Sequence, residues 1–450
     1  MSETIKIRKG LNINLKGKAE KIFVKADKAE LFAVKPTDFY GLVPKLTVKL
    51  DDTVKAGSEL FYDKYKPQIK FTAPVSGKIQ LINRGERRRI LEVVISPDEE
   101  IEYESFKQAD PATISRNEVI QNLLDSGLWP TLRQRPYNII ANPEDTPKAI
   151  FISAFDTAPL APDYDFVVKG KEQEFQYGVN ALIKLSGGKV HLNVNSEYPP
   201  SNVFSQAQGV QINKFKGPHP VGNVGTQIHY IDPVNKGEVV WTISPQDVIL
   251  IGRLFLKGKY DASRIVALTG SEVLKPKYYK TIGGSCIRSI TKENVKEGEL
   301  RFISGNVLTG TKVYQNGFLG FYDSQITVIP EGNFHEFMGW LSPGFKKYSF
   351  YRSFFSWMNP EKEYTINTNL HGGKRALMIT GSFERVFPMD IYPMQLLKAI
   401  IIEDIDLMEK LGIYEVAEED FALCEFIDTS KTDIQSIVRK GLDLMIKEMG

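Results

Sequence analysis

Hydrophobic residues recur at helical spacing, behind recognisable capping signals, in three stretches of the middle of the chain. These stretches are residues 115–127, 172–185 and 244–257. In the first, Ser115 and Glu118 have the spacing of a capping box, in which each side chain bonds to the backbone N–H of the other residue. The third begins with a serine N-cap, followed by proline and then an acid in the first turn. The pattern predicts three amphipathic helices.

Two continuous hydrophobic runs flank the second of these helices. Residues 148–153 precede it, and residues 190–194 follow it. Short apolar runs of this kind are typical of buried strands. The order of strand, helix and strand indicates a parallel pair. We therefore expect a Rossmann-like α/β domain over residues 106–258.

Short alternating strands and turns occupy the regions on either side of that domain. Residues 46–79 contain an Asp-x-Val-x-x-Gly-x-x-Leu run and an Ala-Pro-Val-Ser-Gly-Lys-Ile turn, and they resemble a biotinyl/lipoyl barrel-sandwich hybrid. With the N-terminal segment, this unit is assigned to residues 1–105. The strand-like runs after residue 264 resemble a β-grasp module of the SLBB type, which is assigned to residues 259–330.

The rest of the chain divides into an aromatic-rich connector, residues 331–378, and a helical domain, residues 379–450. The aromatic residues of the connector fit either a surface for a partner or the core of a strand-rich element. In the last domain, residues 394–411 and 434–446 carry apolar stripes and predict two helices. The predicted fold class is therefore α/β and multidomain.

Composition and charge narrow the functional classes. A chain of 450 residues exceeds the size of one hydrophobic core, which agrees with several domains. The net charge of +2 does not indicate nucleic-acid binding, and the triplet Arg87–Arg89 is expected in a solvated hairpin. No apolar run approaches the roughly 20 residues that span a bilayer, and the N-terminus lacks a secretory signal. Any association with a membrane is therefore expected to be peripheral, through partners.

The few cysteines and histidines argue against a resident metal centre. Cys286 and Cys424 are far apart and cannot supply a four-thiolate cluster, and two free thiols fit a reducing, cytoplasmic setting. His335 precedes Glu336 but lacks the second histidine of a zinc motif. We expect no cofactor and no metal in this chain.

Two glycine-rich loops are candidates for phosphate sites, and neither has the required pattern. In residues 305–312 a threonine separates the second glycine from the lysine, so the ammonium group cannot take its place in a phosphate loop. Residues 217–226 contain three glycines, but two prolines remove N–H donors and the Gly-x-Gly-x-x-Gly order is absent. A lost or remodelled nucleotide loop is the interpretation that this segment favours.

Lys64 lies near the position at which lipoyl domains present their modified lysine. Bulky Tyr65 and then Pro67 follow it, whereas a lipoyl target is usually followed by a small residue. We therefore expect no modification at Lys64.

Several motifs, in order along nearly the whole chain, resemble the NqrA family of subunits of the Na+-translocating NADH:quinone reductases. They lie at residues 5–11, 70–74, 125–129, 132–136, 217–220, 232–235, 307–311 and 418–424. That family is related to the RnfC subunit of the Rnf complex and to the flavin-carrying NADH-binding subunit of respiratory complex I. The resemblance implies the architecture of a redox subunit without the flavin loop and the cysteine cluster of those relatives.

The resemblance also implies a set of partners. These are five other subunits, which carry the flavins and the iron–sulfur centre, so that NADH oxidation, quinone reduction and Na+ export belong to the whole complex. This chain is then a peripheral subunit on the cytoplasmic side of the cell membrane that helps to form or shield the site for ubiquinone or menaquinone. Candidate quinone contacts are Phe39, Tyr40, Arg133, Arg135 and Tyr137.

Two functions from other classes remain open on the residues alone. One is a stand-alone flavin-dependent NADH dehydrogenase, which visible absorption of bound flavin would reveal. The other is a lipoyl or biotinyl carrier, which a mass increment on Lys64 would reveal.

Overall fold

The computed structural model describes residues 4–334, 336–339 and 341–449. Within those ranges, no helix combines the length and the apolar character needed to cross a bilayer. The N-terminal segment contains two strands, β1 (Thr4–Lys6) and β2 (Glu20–Lys25). Each of them joins the edge of a sheet that is formed by residues much later in the chain. The N-terminal segment, grouped with the barrel from the sequence, therefore lies largely with the other units.

Residues 32–97 form the barrel-sandwich unit from two small antiparallel sheets. Its strands are β3 (Phe32–Val34), β4 (Pro44–Leu46), β5 (Thr53–Val54), β6 (Glu59–Asp63), β7 (Lys70–Thr72), β8 (Gly77–Arg84) and β9 (Ile90–Pro97). One sheet has the order β3-β9-β8-β5, and the other has the order β4-β6-β7. Arg87, Arg88 and Arg89 are exposed in the turn between β8 and β9, which confirms the solvated hairpin.

From residue 149 onward, the α/β domain alternates strands and helices as predicted. Its strands are β10 (Arg133–Arg135), β11 (Ile139–Ile140), β12 (Ala149–Ser153), β13 (Lys189–Asn195), β14 (Gln211–Lys216) and β15 (Val240–Ile243). Its helices are α1 (Arg116–Asp125), α2 (Tyr164–Val167), α3 (Glu172–Leu185), α4 (Asn202–Ser205), α5 (Val224–Ile231) and α6 (Pro245–Lys257). The sheet order is β1-β14-β13-β12-β15-β10-β11, and β12 is parallel to both of its neighbours.

The capping signals that were read from the sequence are present at the ends of these helices. Ser115 and Glu118 form the complete capping box of α1, and Ser244 caps α6 by accepting the N–H of Asp247. Gly258 ends α6 in the left-handed conformation, with φ of +61°. The barrel and the α/β domain share one continuous hydrophobic core, so they are packed together and not merely linked.

The β-grasp unit has one mixed sheet. Its elements are β16 (Ser263–Thr269), β17 (Lys277–Ile282), α7 (Arg288–Thr291), β18 (Leu300–Ser304), β19 (Thr311–Val313) and β20 (Gln325–Pro330). The sheet order is β19-β18-β20-β16-β17-β2, so the N-terminal strand β2 supplies one edge. The glycine-rich residues 305–310 connect the antiparallel strands β18 and β19, which confirms that they are not a strand-to-helix phosphate loop.

Helices form the C-terminal unit. They are α8 (Phe383–Val386), α9 (Pro393–Ile401), α10 (Ile405–Lys410), α11 (Ala422–Ile427) and α12 (Ile434–Met449). The prediction of one helix over residues 394–411 is wrong. Glu403 adopts a φ of +56°, and the side chain of Asp404 then caps α10 by accepting the N–H of Leu407. Ile13 and Leu15 of the N-terminal segment are buried in the core of this unit.

Candidate functional site

The segment from Leu132 to Asn138 lies where the barrel, the α/β domain, the β-grasp unit and the helical unit meet. It carries three of the five residues predicted to contact quinone, Arg133, Arg135 and Tyr137. Strand β10 of this segment pairs antiparallel with β15. The guanidinium group of Arg133 stacks over the ring of Tyr322, at 4.8 Å from the ring centroid. Within the described ranges, that group has no hydrogen-bond acceptor and no carboxylate within 4.0 Å, so its donors are free there.

A cavity of about 150 Å³ opens beside Arg133, at the carboxyl ends of β12 and β15. The chain leaves β12 toward β13 on one side, whereas β15 lies on the other side, so this is the point at which the strand order reverses. Open α/β sheets bind ligands in the crevice at such a point. Ser153, Ile243 and Tyr322 line the cavity, together with the loop that precedes α5.

The charged lining of the cavity is mainly acidic. Burial raises the pKa of the Asp156 carboxyl, and burial also raises the pKa of Asp247 although Arg264 lies 2.9 Å away. His219 is buried, and this burial lowers its pKa to about 4, so the ring is neutral at physiological pH. Arg133 is thus the cationic group that the cavity offers to a ligand.

The helix that would receive a phosphate at this crevice faces a carboxylate of the same chain. Oδ1 of Asp420 lies 2.5 Å from the position that a Cβ on Gly225 would occupy, in the first turn of α5. Only glycine leaves room for this approach. Asp420 Oδ2 accepts a 2.8 Å hydrogen bond from Arg135, which is 1% exposed. A dinucleotide or flavin phosphate would meet this carboxylate at the helix N-terminus, so the residues present do not fit such a group. This agrees with the lost nucleotide loop inferred from residues 217–226.

Arg135 is consequently held away from the cavity. Its second nitrogen donates to Glu419 at 2.7 Å, so both ends of the guanidinium group are occupied. Arg135 and the two carboxylates are separated by more than 280 residues in the chain. The structure therefore assigns Arg135 to the junction between the α/β domain and the helical unit.

Tyr40 and Tyr137 lie at the surface side of the same junction. Arg439 of α12 stacks over the Tyr40 ring at 4.7 Å and donates to the backbone oxygen of Tyr137 at 2.8 Å. It also pairs with Glu418 at 2.9 Å. Tyr40 is 47% exposed, and its pKa is raised by partial burial and then by Glu418.

Phe39 lies next to Tyr322 in the hydrophobic core. Its ring is 4.6 Å from Phe71, 4.9 Å from Phe321 and 5.7 Å from Tyr322, and the side chain is buried. Phe39 thus supports the ring of Tyr322, which in turn carries Arg133.

The structure therefore brings the five predicted residues into one region but gives them different environments. Arg133, Tyr40 and Tyr137 lie at or near open surface, whereas Phe39 and Arg135 are buried. Reasoning from sequence alone missed Tyr322, Arg439 and the acidic residues 418–420 as members of this region. The acidic triplet is visible in the sequence only as a family motif, and its proximity to β10 has no local signal.

No group of three or more histidine, cysteine, aspartate or glutamate residues with the geometry of a metal site occurs in the parts of the chain described above. His335, whose sequence context argues against a zinc motif, lies outside the described residues.

Comparison with known proteins identifies the relatives of the chain. Family models match at residues 5–98 (NqrA N-terminal barrel-sandwich hybrid domain), 114–260 (NqrA second alpha/beta domain) and 265–315 (NQRA C-terminal domain). The NqrA subunit of the Na(+)-translocating NADH-quinone reductase from Neisseria meningitidis serogroup C is 40% identical over 99% of this chain and 100% of its own length. The proteins of the same name from Hahella chejuensis and Yersinia pestis are 38% and 39% identical, with coverage of 99% of this chain and 100% of their own length.

A solved structure of an NAD+-reducing NiFe hydrogenase also aligns with the chain. The identity is 12% and the TM-score is 0.40, over 76% of this chain and 64% of the other. These values are too low to support a structural argument.

Proposed function

Because the chain belongs to the NqrA family of Na+-translocating NADH-quinone reductase subunits, we propose that it works as a peripheral component of such a complex. It assembles with five further subunits on the cytoplasmic side of the cell membrane. The complex oxidises NADH, reduces quinone and exports Na+. The full-length identity to relatives of that name supports this proposal.

The electron carriers belong to the partner subunits in this proposal. Cys286 lies in the β-grasp unit and Cys424 in the core of the helical unit, and both are free and buried. Buried, isolated thiols do not hold an iron–sulfur cluster, which needs several cysteines together. Asp420 lies against the first turn of the helix at which a flavin phosphate would bind. The flavins and the iron–sulfur centre are therefore assigned to the other subunits.

This chain contributes to quinone reduction through the junction at Arg133. The single observation that carries this step is that Arg133 lines the 150 Å³ cavity and makes no hydrogen bond to any described residue. A guanidinium group donates readily to a carbonyl oxygen. The ring of Tyr322, under the guanidinium group, holds Arg133 at the wall of the cavity. Tyr40 and Tyr137 border the same junction. Phe39 and Arg135 act as positioning residues, through Tyr322 and the acidic residues.

The test compares Arg133→Ala with Arg89→Ala in the whole complex, purified from native membranes through a tag on this chain. Arg89 is exposed in the barrel hairpin, and its side chain has no described hydrogen-bond partner, so it is the matched control. Loss of one charged hydrogen bond to the headgroup, worth about 1.5–3 kcal/mol, raises the KM for quinone roughly tenfold or more. NADH oxidation with an artificial acceptor stays unchanged.

Two outcomes would count against different parts of the proposal. An unchanged KM for quinone in an intact six-subunit Arg133→Ala complex removes Arg133 from the quinone site. A tagged chain that purifies without other subunits contradicts membership of the complex itself.

A further inference from the structure

The connector exposes an unusual number of large hydrophobic side chains. We call this set the connector surface, and its members lie within residues 334–370. The exposed fractions are 56% for Phe334, 93% for Phe337, 51% for Met338, 59% for Leu341, 55% for Phe345, 53% for Phe355, 48% for Trp357, 61% for Met358 and 57% for Leu370. Scattered single exposed hydrophobic residues are normal in proteins, but a group of this size marks an interaction site.

Other side chains of the same segment are partly buried and form a second layer. Tyr348, Phe350, Tyr364, Ile366 and Leu377 pack against the hydrophobic core of the helical unit. The backbone of Tyr364 also bonds to both Asn14 and Lys16, which ties the connector to the N-terminal segment. The prediction of a strand-rich element is wrong, because the described residues of the connector form no strand and one layer of them packs against helices. The other layer faces outward, and the partner surface stays a prediction.

Described contacts join the connector surface into one patch. Asn369 donates to the backbone oxygen of Phe334 at 3.0 Å, which brings Leu370 next to the start of the segment. The rings of Phe345 and Phe355 lie 5.8 Å apart. Phe355 N–H bonds to the oxygen of Pro343 at 2.9 Å, and Lys347 bonds to the oxygen of Gly339 at 2.7 Å, which brings residues 336–341 next to residues 343–355.

Cations surround these hydrophobic side chains. Residues 334–379 carry six cationic side chains, at positions 346, 347, 352, 362, 374 and 375, against three glutamates, at positions 336, 361 and 363. The excess of three exceeds the net charge of +2 of the entire chain. Arg352 lies over the ring of Trp357 at 5.4 Å, and Lys347 lies over that of Phe354 at 5.3 Å.

Exposed Phe, Trp, Leu and Met beside lysine is the chemistry of a bilayer interface. Protein–protein interfaces are depleted in lysine, whereas surfaces that bind lipid combine a lysine-rich polar face with inserted aromatic and aliphatic side chains. We propose that the connector surface binds directly to the surface of an anionic lipid bilayer. Phe337, Met338 and Leu341 enter the interfacial region, and the exposed Lys346 and Lys374 meet the lipid phosphates. This contact adds to the attachment through partner subunits in the proposed function and does not depend on it.

The test uses the full chain, purified alone, in sedimentation with vesicles of phosphatidylglycerol and phosphatidylcholine. The chain is expected to bind at low salt, and binding should fall as ionic strength increases or as the anionic lipid is omitted. Phe337→Ser with Trp357→Ser, and separately Lys346→Glu with Lys374→Glu, should each lower the bound fraction at least about fivefold. Since these side chains are exposed, the fold is retained, which circular dichroism checks.

The matched control is Tyr198→Ser with Tyr314→Ser, because those rings are 69% and 82% exposed but lie outside the connector. It should bind vesicles like the unchanged chain. Absence of binding to anionic vesicles, or an equal loss in the control, overturns the lipid proposal. Variants whose complex fails to assemble, although the isolated variant chains still bind vesicles, likewise contradict a lipid contact. Neither result bears on the quinone assay, so the two proposals fail separately.

Discussion

The guanidinium group of Arg135 is held between Glu419 and Asp420, almost completely out of contact with water. Removal of one partner from a buried ion pair leaves an uncompensated charge, which costs about 3–5 kcal/mol of unfolding free energy. We expect this cost for Arg135→Met, measured by urea unfolding with the fluorescence of the buried Trp129 and Trp241 as signal.

Two further variants test whether the loss of unfolding free energy in Arg135→Met comes from the unpaired charge or from the substitution itself. Arg135→Met combined with Asp420→Asn removes the two fully buried charges, leaves only the partly exposed Glu419, and should recover most of the lost stability. Lys55→Ala breaks an exposed pair with Glu102, at 3.2 Å, and should cost under about 1 kcal/mol. Equal costs for Arg135→Met and Lys55→Ala would show that the buried pair does not stabilise the junction.

His219 gives the α/β domain a predictable dependence on pH. Burial lowers its pKa from 6.5 to about 4 in the folded chain, so the unfolded chain binds more protons between those values. The unfolding free energy therefore falls as pH decreases through this window, and the effect is absent well above pH 6.5. Between pH 7.5 and pH 5, the unfolding free energy of the wild type should fall by about 2 kcal/mol more than that of His219→Gln.

Urea unfolding at the two pH values measures this difference. His371→Gln is the comparison, because that histidine is exposed on the connector and should change the pH dependence less. A variant at position 219 that keeps the full pH dependence would show that His219 is not its source.

The contacts of a residue could be predicted from the sequence where its partners are close in the chain. The capping box of Ser115 and Glu118 involves neighbours three positions apart and was predicted correctly. Arg135 was predicted as a quinone contact, but its partners lie 284 and 285 residues away in the chain. No pattern around Arg135 reveals that two carboxylates will neutralise it.

At the scale of elements, strongly periodic segments were predictable, and their junctions were not. Helix α3 has the predicted bounds because its apolar face and its flanking glycines are local signals. The apolar stripe of residues 394–411 continues through a break, since Glu403 and the Asp404 cap interrupt the backbone without interrupting the pattern. The pairing of β1 and β2 with distant sheets has no signal in their own spacing.

The prediction that Lys64 is unmodified concerns the hairpin of β6 and β7. Lys64 lies in the turn after β6, where its backbone N–H bonds to the oxygen of Val43 and its ammonium group lies 5.6 Å from the Tyr65 ring centroid. In protein from native cells, the peptide that contains Lys64 is expected to have the mass of its sequence alone. A lipoyl or biotinyl increment on Lys64 would contradict this expectation and favour a carrier function.

At the scale of the whole molecule, the order of the units was predictable because each has its own pattern. The shared interfaces were not, because they depend on how units pack. The barrel and the α/β domain have one continuous core, and the acidic residues 418–420 of the helical unit close the crevice of the α/β sheet. The candidate site thus exists only in the assembled chain, at the junction of units that sequence treats separately.

The placement of the N-terminal segment has a consequence for synthesis on the ribosome. Strand β1 needs β14, residues 211–216, and β2 needs β17, residues 277–282. Ile13 and Leu15 need a core that is completed only by α12. These parts of the N-terminal segment therefore reach their partners one after another, once residues 216, 282 and 449 have been translated. During that interval they present unpaired strands, which chaperones recognise and which favour aggregation when translation stalls.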